Sequence, residues 1–548
     1  MDGALTAQRD YGRICNMIFF ISVAALIGFI LWLPAFPDGD GALHTYYAQI
    51  FHELASGAPT VYSHYYALRH LVQPYCLHYF VLIFFEQWCS PLKAEELFVS
   101  VILITTALGF RFMARRLGQH ASLVSLFIVP MLLDWTLGAG FLNYCFAAGI
   151  SFWCVGFWNM LRPGRSVLPL LGFVAMLLLL VLSHPMPLMI LILLLGSDLA
   201  LLLWGGRANL RYTLATLRWR VAALALSLLA LLIPTSMAES SKVTSVWRDF
   251  FPHRSVLMHF IEARSLGYFA GSMPLALLYS MGLLLLIPAT ILLLQRDFRM
   301  HWRTRTLTAA DRQLLIMSLF LLLTITLPRT VAGGSSFSER MWDTVWPLVF
   351  VTASAATLTS AQKRMLTIAG GLLIVLTGCL AVPRVYAFSL KHDALAHAVL
   401  PRDRQGLLIE PFSTTLGRPR SASYPIFFWS GMRAFTASHS VLFNSPWLDE
   451  KQIPVRSNGP SKFGEAHFTQ FITDQPPYFT DAIIKRIPAA LNVLHEVDFI
   501  LYVAPNERPQ DLPGQVAHIL GPEASDWTCT PSDLYVLCVV SKSGPEKH

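Results

Sequence analysis

Asp38 and Asp40 stand two residues apart in FPDGDGALHTYYAQIF, residues 36–51, directly after an apolar run at 14–33 that is long enough to cross a bilayer. Carboxylates beside a histidine and a tyrosine are the groups from which proton-transfer chemistry is built. Read as a helix beginning near Asp40, the segment aligns Asp40, His44, Tyr47 and Phe51, because residues three and four apart share a face. Leu43, Tyr46, Ile50 and Leu54 line the adjacent apolar side, the pattern of a helix lying on a membrane surface. Gly39 and Gly41 let backbone approach a ligand closely. The same residue types also serve local structure: Asp40 as a helix cap, Asp38 as a turn residue, His44 as a hydrogen-bond partner one turn on. Asp38 and Asp40 also form a D-x-D, a metal-holding pair in soluble nucleotide-sugar transferases. Two carboxylates with no identifiable further ligands are a weak metal signal, and the expectation is chemistry without a metal or other cofactor.

Other polar residues interrupt apolar sequence farther on. Arg340, in SSFSERMWDTVWPLV, opens a late apolar run, with Arg329 shortly before it and Asp343 three residues after it. The arginine suits an anion; a local ion pair with Asp343 is the structural alternative. His184, in LSHPMPLM, sits at the tip between two apolar runs, as a site residue or as a polar stop at the interface. Glu262, with Arg264 in HFIEARSLGYF, reads as part of a cavity wall or as a solvated amphipathic surface. Arg248 and Arg254 suit anionic lipid headgroups without any catalysis.

The elements that must position these residues are mostly membrane helices. The chain has 548 residues, 54% of them hydrophobic and only 14% charged. Runs of span length recur up to Pro383 and then stop, so residues 1–384 read as a transmembrane domain that includes the first loop at 34–70, and residues 385–548 as a soluble α/β domain. The net charge of +8 resides largely in short loops: Arg162 and Arg165; Arg207, Arg211, Arg218 and Arg220; Arg296, Arg299, Arg303, Arg305 and Arg312. Basic loops between spans mark the cytoplasmic side and argue against a nucleic-acid surface. Arg9 and Arg13 put the N-terminus inside as well, and with no small-residue cleavage pattern the first span reads as an uncleaved helix. Alternation from these loops places 34–70, 239–272, 328–343, the His184 tip and the C-terminal domain outside. The expected count is about eleven spans. Parity requires that one apolar segment of 71–161 lie in the interface or enter and return, for which DWTLGAGFLNY, residues 134–144, is the candidate.

In the C-terminal part, 406–410, 499–504 and 534–540 read as strands and 481–497 as a helix. Cys529 and Cys538 flank a turn at Pro531, Ser532 and Asp533 that joins two strands, and outside the cytoplasm they form a candidate disulfide. The other six cysteines lie in or beside apolar sequence and read as small buried hydrophobes.

A first span followed by an external loop with D-x-x-x-H, here Asp40 to His44, resembles the GT-C membrane glycosyltransferases. The second half of that loop, ASGAPTVYSHYYALRH, the His-Pro tip and the late-span arginine are similar to family features too. The resemblance implies a mainly α, multi-pass, GT-C-like protein of the inner (plasma) membrane with an extracytoplasmic α/β domain. It implies inverting sugar transfer from a polyprenyl-phosphate donor to a glycan, lipid or protein acceptor on the extracytoplasmic face. Asp40 falls at the general base, with Asp38 in reserve and His44 beside it. Arg340 and Arg329 fall at the donor phosphate, and Tyr47, His184 and Glu262 around the substrate cavity. Two other classes stay open: a lipid or polysaccharide transporter or flippase, whose usual paired halves with interrupted helices are not seen here, and a non-catalytic assembly subunit of the same fold.

Overall fold

In the computed structural model, residues 2–69, 74–163, 166–237, 290, 298–304, 306–326, 337–356, 358–409, 430–442, 455–457, 497–503, 520 and 525–541 are described. Glu262, Arg329 and residues 481–496 of the expected helix lie outside them. Helix α1 is Asp2–Trp32, α2 Gly41–Ala55, α3 Val61–Tyr65, α4 Leu77–Glu86, α5 Pro91–Leu117, α6 Ala121–Ile128 and α7 Trp135–Gly138. After these come α8 Leu142–Trp158, α9 Val167–Ser183, α10 Pro185–Gly205, α11 Leu210–Met237, α12 Ala309–Thr326, α13 Phe337–Ser354, α14 Ser360–Ala396 and α15 Met432–Ser438.

Seven helices among the described residues are long and apolar enough to span a bilayer, and α4, α8 and α9 are shorter apolar helices. Only 11% of the apolar window in Leu210–Ile233 is covered by protein, so the rest needs an apolar surround, which a bilayer supplies. The protein is therefore a mainly α, multi-pass membrane protein with a C-terminal sheet. The segment 134–144 is interrupted as its glycines and polar residues suggest. Asp134 caps the single-turn α7 by accepting from Leu137 N, Gly140 takes a φ of +81°, and the chain restarts as α8.

The chain divides into two compact units: Met1–Trp32, Gln73–His78 and Val99–Arg384 form one; Leu33–Val72, Tyr79–Phe98 and Val385–His548 form the other. In the first, Asp198 of α10 is a junction for three helices. It accepts from Trp158 Nε1 of α8 at 2.9 Å and from Arg312 Nε of α12 at 2.9 Å, with Arg220 of α11 at 3.6 Å. A carboxylate this deep among apolar helices is tolerable because cations and a donor surround it.

In the second unit, strands β2 Gln405–Ile409, β3 Val441–Leu442, β5 Phe499–Val503, β6 Trp527–Pro531 and β7 Tyr535–Val540 form a mixed sheet of order β3-β2-β5-β7-β6. β2 runs parallel to β3 and β5, whereas β7 is antiparallel to β5 and β6. All of β5 is buried, which fits an unbroken apolar strand at the centre of a sheet. Leu407, Ile500, Tyr502, Trp527 and Val536 form the core of one face. Cys529 and Cys538 are direct partners across β6 and β7 and are bonded. Two-residue register along the hairpin makes this pairing follow from the turn between them. β1, Tyr66–Leu68 in the first loop, pairs antiparallel with β4, Val455–Ser457, so the loop shares backbone bonds with the C-terminal region.

Candidate functional site

Helix α2 begins where the sequence suggests, but it is covered on both sides. Every residue from Gly41 to Phe51 is buried, including Tyr46 and Ile50, which amphipathicity assigned to a membrane surface. Tyr46 shows why: its hydroxyl donates to Ser440 O at 3.2 Å and accepts from Leu442 N at 2.9 Å. Tyr66 likewise donates to Leu442 O at 2.9 Å. Hydroxyls on this face tie α2 and the first loop to the C-terminal region, and a tyrosine so bonded has no call for lipid.

Asp40 occupies the N-cap position with a helical backbone, and its side chain makes no capping bond. It is nearly buried, at 8% exposure. Asp38 has a different office. Its Oδ1 accepts from Arg433 Nη2 of α15 at 3.1 Å, and both side chains are fully enclosed. Arg433 also grips Glu95 through Nη1 at 2.5 Å and Nη2 at 3.0 Å, donates to Phe36 O at 2.5 Å, and gives its Nε proton to His392 Nδ1 at 2.9 Å. As acceptor at Nδ1 from a guanidinium, His392 is neutral with its proton on Nε2. Burial pushes the Asp38 carboxyl well above the usual carboxylate range and Glu95 adds to this, against the pull of Arg433. That is the direction expected of two enclosed acids facing one cation.

The glycine at 41 follows from this arrangement. A Cβ there would lie 1.8 Å from Asp38 Oδ2, so any larger residue evicts the carboxylate from its place over the start of α2. Asp38 is thus bonded to Arg433 through Oδ1, while its Oδ2 lies against the helix start without a hydrogen-bond partner.

His44 is buried, and its Nδ1 pairs with the Tyr79 hydroxyl at 2.9 Å. Burial lowers its pKa to about 4, so the ring is neutral at pH 7. The linkage has a definite sign. An unfolded histidine titrates near 6.5, so between pH 6.5 and 4 the unfolded chain takes up a proton that the folded site refuses. Stability of this segment is expected to be level above about pH 7 and to fall by about 3 kcal/mol as pH drops to 4. Amide exchange of α2 in wild type and His44→Gln checks this: the variant's exchange should change much less over that range, and equal pH dependence in both would remove His44 as the cause.

The second group of candidates lies in the membrane unit. His184 is the residue between α9 and α10; its Nδ1 accepts from Met186 N at 3.1 Å. Its Nε2 stands 3.4 Å from Arg340 Nη1 of α13. Tyr75, with a φ of +71°, presents its ring edge-on to His184 at 4.8 Å, and Tyr144 does so at 5.6 Å. Burial and the charge of Arg340 depress the His184 pKa well below the ordinary value, so the imidazole is neutral. With Nδ1 accepting, its one proton sits on Nε2. Two N–H donors, His184 Nε2 and Arg340 Nη1, therefore face one another, an arrangement that a shared acceptor would resolve.

Arg340 has an aromatic seat, and Asp343 is near enough to feel its charge. Its guanidinium carbon lies 4.1 Å from the Phe141 ring centroid and 5.1 Å from that of Tyr144, and its Nε is buried without a hydrogen-bond partner. Among the described residues no carboxylate pairs with it. Asp343, the ion-pair alternative, accepts instead from Thr136 Oγ1 at 3.0 Å, and Thr136 also donates to Asp134 at 2.8 Å. A cavity beside this group is lined by Ile102, Met131, Thr136, Tyr144, Phe152 and Asp343, among others. Tyr47 is fully buried in the other unit. Among the described residues no three His, Cys, Asp or Glu side chains gather in a metal-holding group.

Glu95, His392 and Arg433 were not legible as site residues. In SGMRAFTASHS nothing marks the arginine, since Glu95, Asp38 and Phe36 are 338 to 397 positions away in sequence and His392 is 41 away. Tyr75 and Tyr144 carry no local signal either.

No family model matches the sequence, and neither does a curated protein. Among solved structures, the chain is similar to ArnT from Cupriavidus metallidurans bound to undecaprenyl phosphate, with a TM-score of 0.46, 12% identity and coverage of 97% of this chain and 99% of that one. It is similar also to the apo oligosaccharyltransferase of Archaeoglobus fulgidus, with a TM-score of 0.46, 11% identity and coverage of 92% and 71%.

Proposed function

We propose that this chain is a membrane glycosyltransferase that moves a sugar from a polyprenyl-phosphate donor to an acceptor on the extracytoplasmic face. The observation that carries this is Arg340 beside the neutral His184: two N–H donors in a buried aromatic setting, the arginine making no direct salt bridge among the described residues. A guanidinium without a direct salt bridge among membrane helices favours an anion, and a lipid-borne phosphate is the anion a bilayer delivers. Asp40 is the general base that takes the proton of the attacking hydroxyl as the sugar–phosphate bond breaks. The ion pairing of Asp38 with Arg433 supports that choice between the two acids. One base and one displacement at the anomeric carbon give inversion. Asp38 and His44 support the base, and Tyr47 and His184 border the substrate, whereas Glu262 and Arg329 join them on the resemblance alone. No metal takes part, a choice supported by the guanidinium already held at Asp38. The acceptor is a glycan, lipid or protein hydroxyl, and the membrane is the inner membrane.

The test is purified protein in lipid discs with sugar-bearing prenyl phosphates and hydroxyl acceptors. The expected result is sugar on the acceptor with stoichiometric release of prenyl phosphate. Lipid movement without transfer, or neither, rejects the proposal.

A further inference from the structure

The bonds of Arg433 are distributed unevenly around it. Of its five acceptor contacts, two go to the first loop on either side of Pro37: the carbonyl of Phe36 and the carboxylate of Asp38. One residue earlier, Ser389 Oγ donates to Ala35 O at 2.6 Å and receives from Ala35 N at 3.2 Å. Glu95 and His392 hold the guanidinium itself from the other sides. A segment held at one point can still rotate, but one held at two points around a proline, whose φ is fixed, has a set direction. Asp38 then rests with Oδ2 over the Cα of Gly41, the first residue of α2, and Asp40 lies between.

We infer that Arg433 is a positioning residue for the Asp38–Asp40 turn, and that the region after the last span is there to build this turn rather than only to cover it or to select an acceptor. The catalytic consequence rests on the proposed role of Asp40; the positioning does not. Lysine cannot replace this arginine. An ammonium has charge but no planar fork, so it cannot hold Glu95 through two nitrogens while reaching Phe36 O, Asp38 and His392. The two ends of the chain thus make one site: residues 33–40 supply the acids and residues 389–433 supply the groups that orient them.

The test compares full-length wild type with Arg433→Lys, each purified in lipid discs. Amides of residues 36–44 are expected to exchange at least tenfold faster in the variant, and kcat for sugar transfer to fall about ten- to a hundredfold with the donor KM within threefold. Unchanged exchange at 36–44 overturns the inference, and faster exchange with unchanged kcat overturns its catalytic consequence. A purely structural role would lower stability overall and raise exchange throughout the C-terminal sheet; that pattern, without a selective effect at 36–44, also overturns it. If Arg433→Lys fails to fold, Asp38→Asn keeps the Arg433–Glu95 fork and is read the same way, with faster exchange at 39–44 and reduced kcat expected and wild-type values fatal. Should wild type transfer no sugar with any donor, the proposed function fails, and the exchange data alone then decide whether Arg433 positions the turn.

Discussion

Asp40→Asn is expected to insert, fold and bind a prenyl-phosphate donor as wild type does, and to transfer sugar about 10²- to 10⁴-fold more slowly. The range is the usual contribution of a positioned base and equals about 3–5 kcal/mol of transition-state stabilisation. Two features make the substitution clean. The Asp40 side chain makes no capping bond, so removing its charge does not unpick the start of α2. Asn is also close to isosteric with Asp, so packing around a residue this buried is kept. Asp38→Asn is a contrasting case. There the amide would face Arg433 in place of a carboxylate, leaving one buried cation with less compensation, so stability as well as turnover should suffer. A loss of turnover at 40 with normal melting, set against a loss of both at 38, assigns the two acids. Wild-type turnover in Asp40→Asn, within about threefold, would remove it as the base.

Why the sequence revealed one acid's neighbourhood and not the other's is a matter of range. Apolar runs are a local property and solvent partition is a strong force, so α1, α5, α10, α11 and α12 are legible from composition alone. Strands β2, β5 and β7 are legible too, within a residue or so, since buried strands are short apolar runs bounded by turns. The Cys529–Cys538 bond follows from a hairpin that brings its two ends together. Arg433 obeys no such pattern. It is buried because the first loop supplies a carboxylate and a carbonyl from the far end of the chain, and no window of sequence contains both partners. Helix α2 misled for a related reason. Its Tyr46 and Ile50 look like a lipid-facing stripe, yet polarity records what a side chain prefers and not what covers it. Asp343 misled through spacing: three residues from Arg340 is ion-pair distance on a helix, but Thr136 from another helix claims its oxygen.

Arg340→Ala is expected to lower kcat about 10²- to 10³-fold and to weaken binding of the bare prenyl phosphate. The phosphate oxygen that leaves the sugar gains charge as the bond breaks, so a cation aimed at it contributes more in the transition state than in the bound donor. Low surrounding polarity enlarges that difference, because less solvent competes for the oxygen. The local structure should survive the change. Tyr144 donates to the backbone carbonyl of Arg340 at 2.6 Å, a bond that alanine keeps, and Asp343 keeps its bond from Thr136. Arg340→Lys separates charge from shape. Its ammonium cannot lie flat between the Phe141 and Tyr144 rings, so affinity should be partly retained while kcat remains well below wild type. His184→Phe removes the second donor and leaves the arginine; its effect on donor binding should be smaller than that of Arg340→Ala, and the double variant should cost less than the sum, since the two groups lie 3.4 Å apart and on the proposed function address one phosphate. Titration of each variant with prenyl phosphate, alongside single-turnover transfer, measures these quantities. Unchanged affinity and turnover in Arg340→Ala would leave the guanidinium as an aromatic-packed strut of α13, and the proposal for an anion between it and His184 would fall with it.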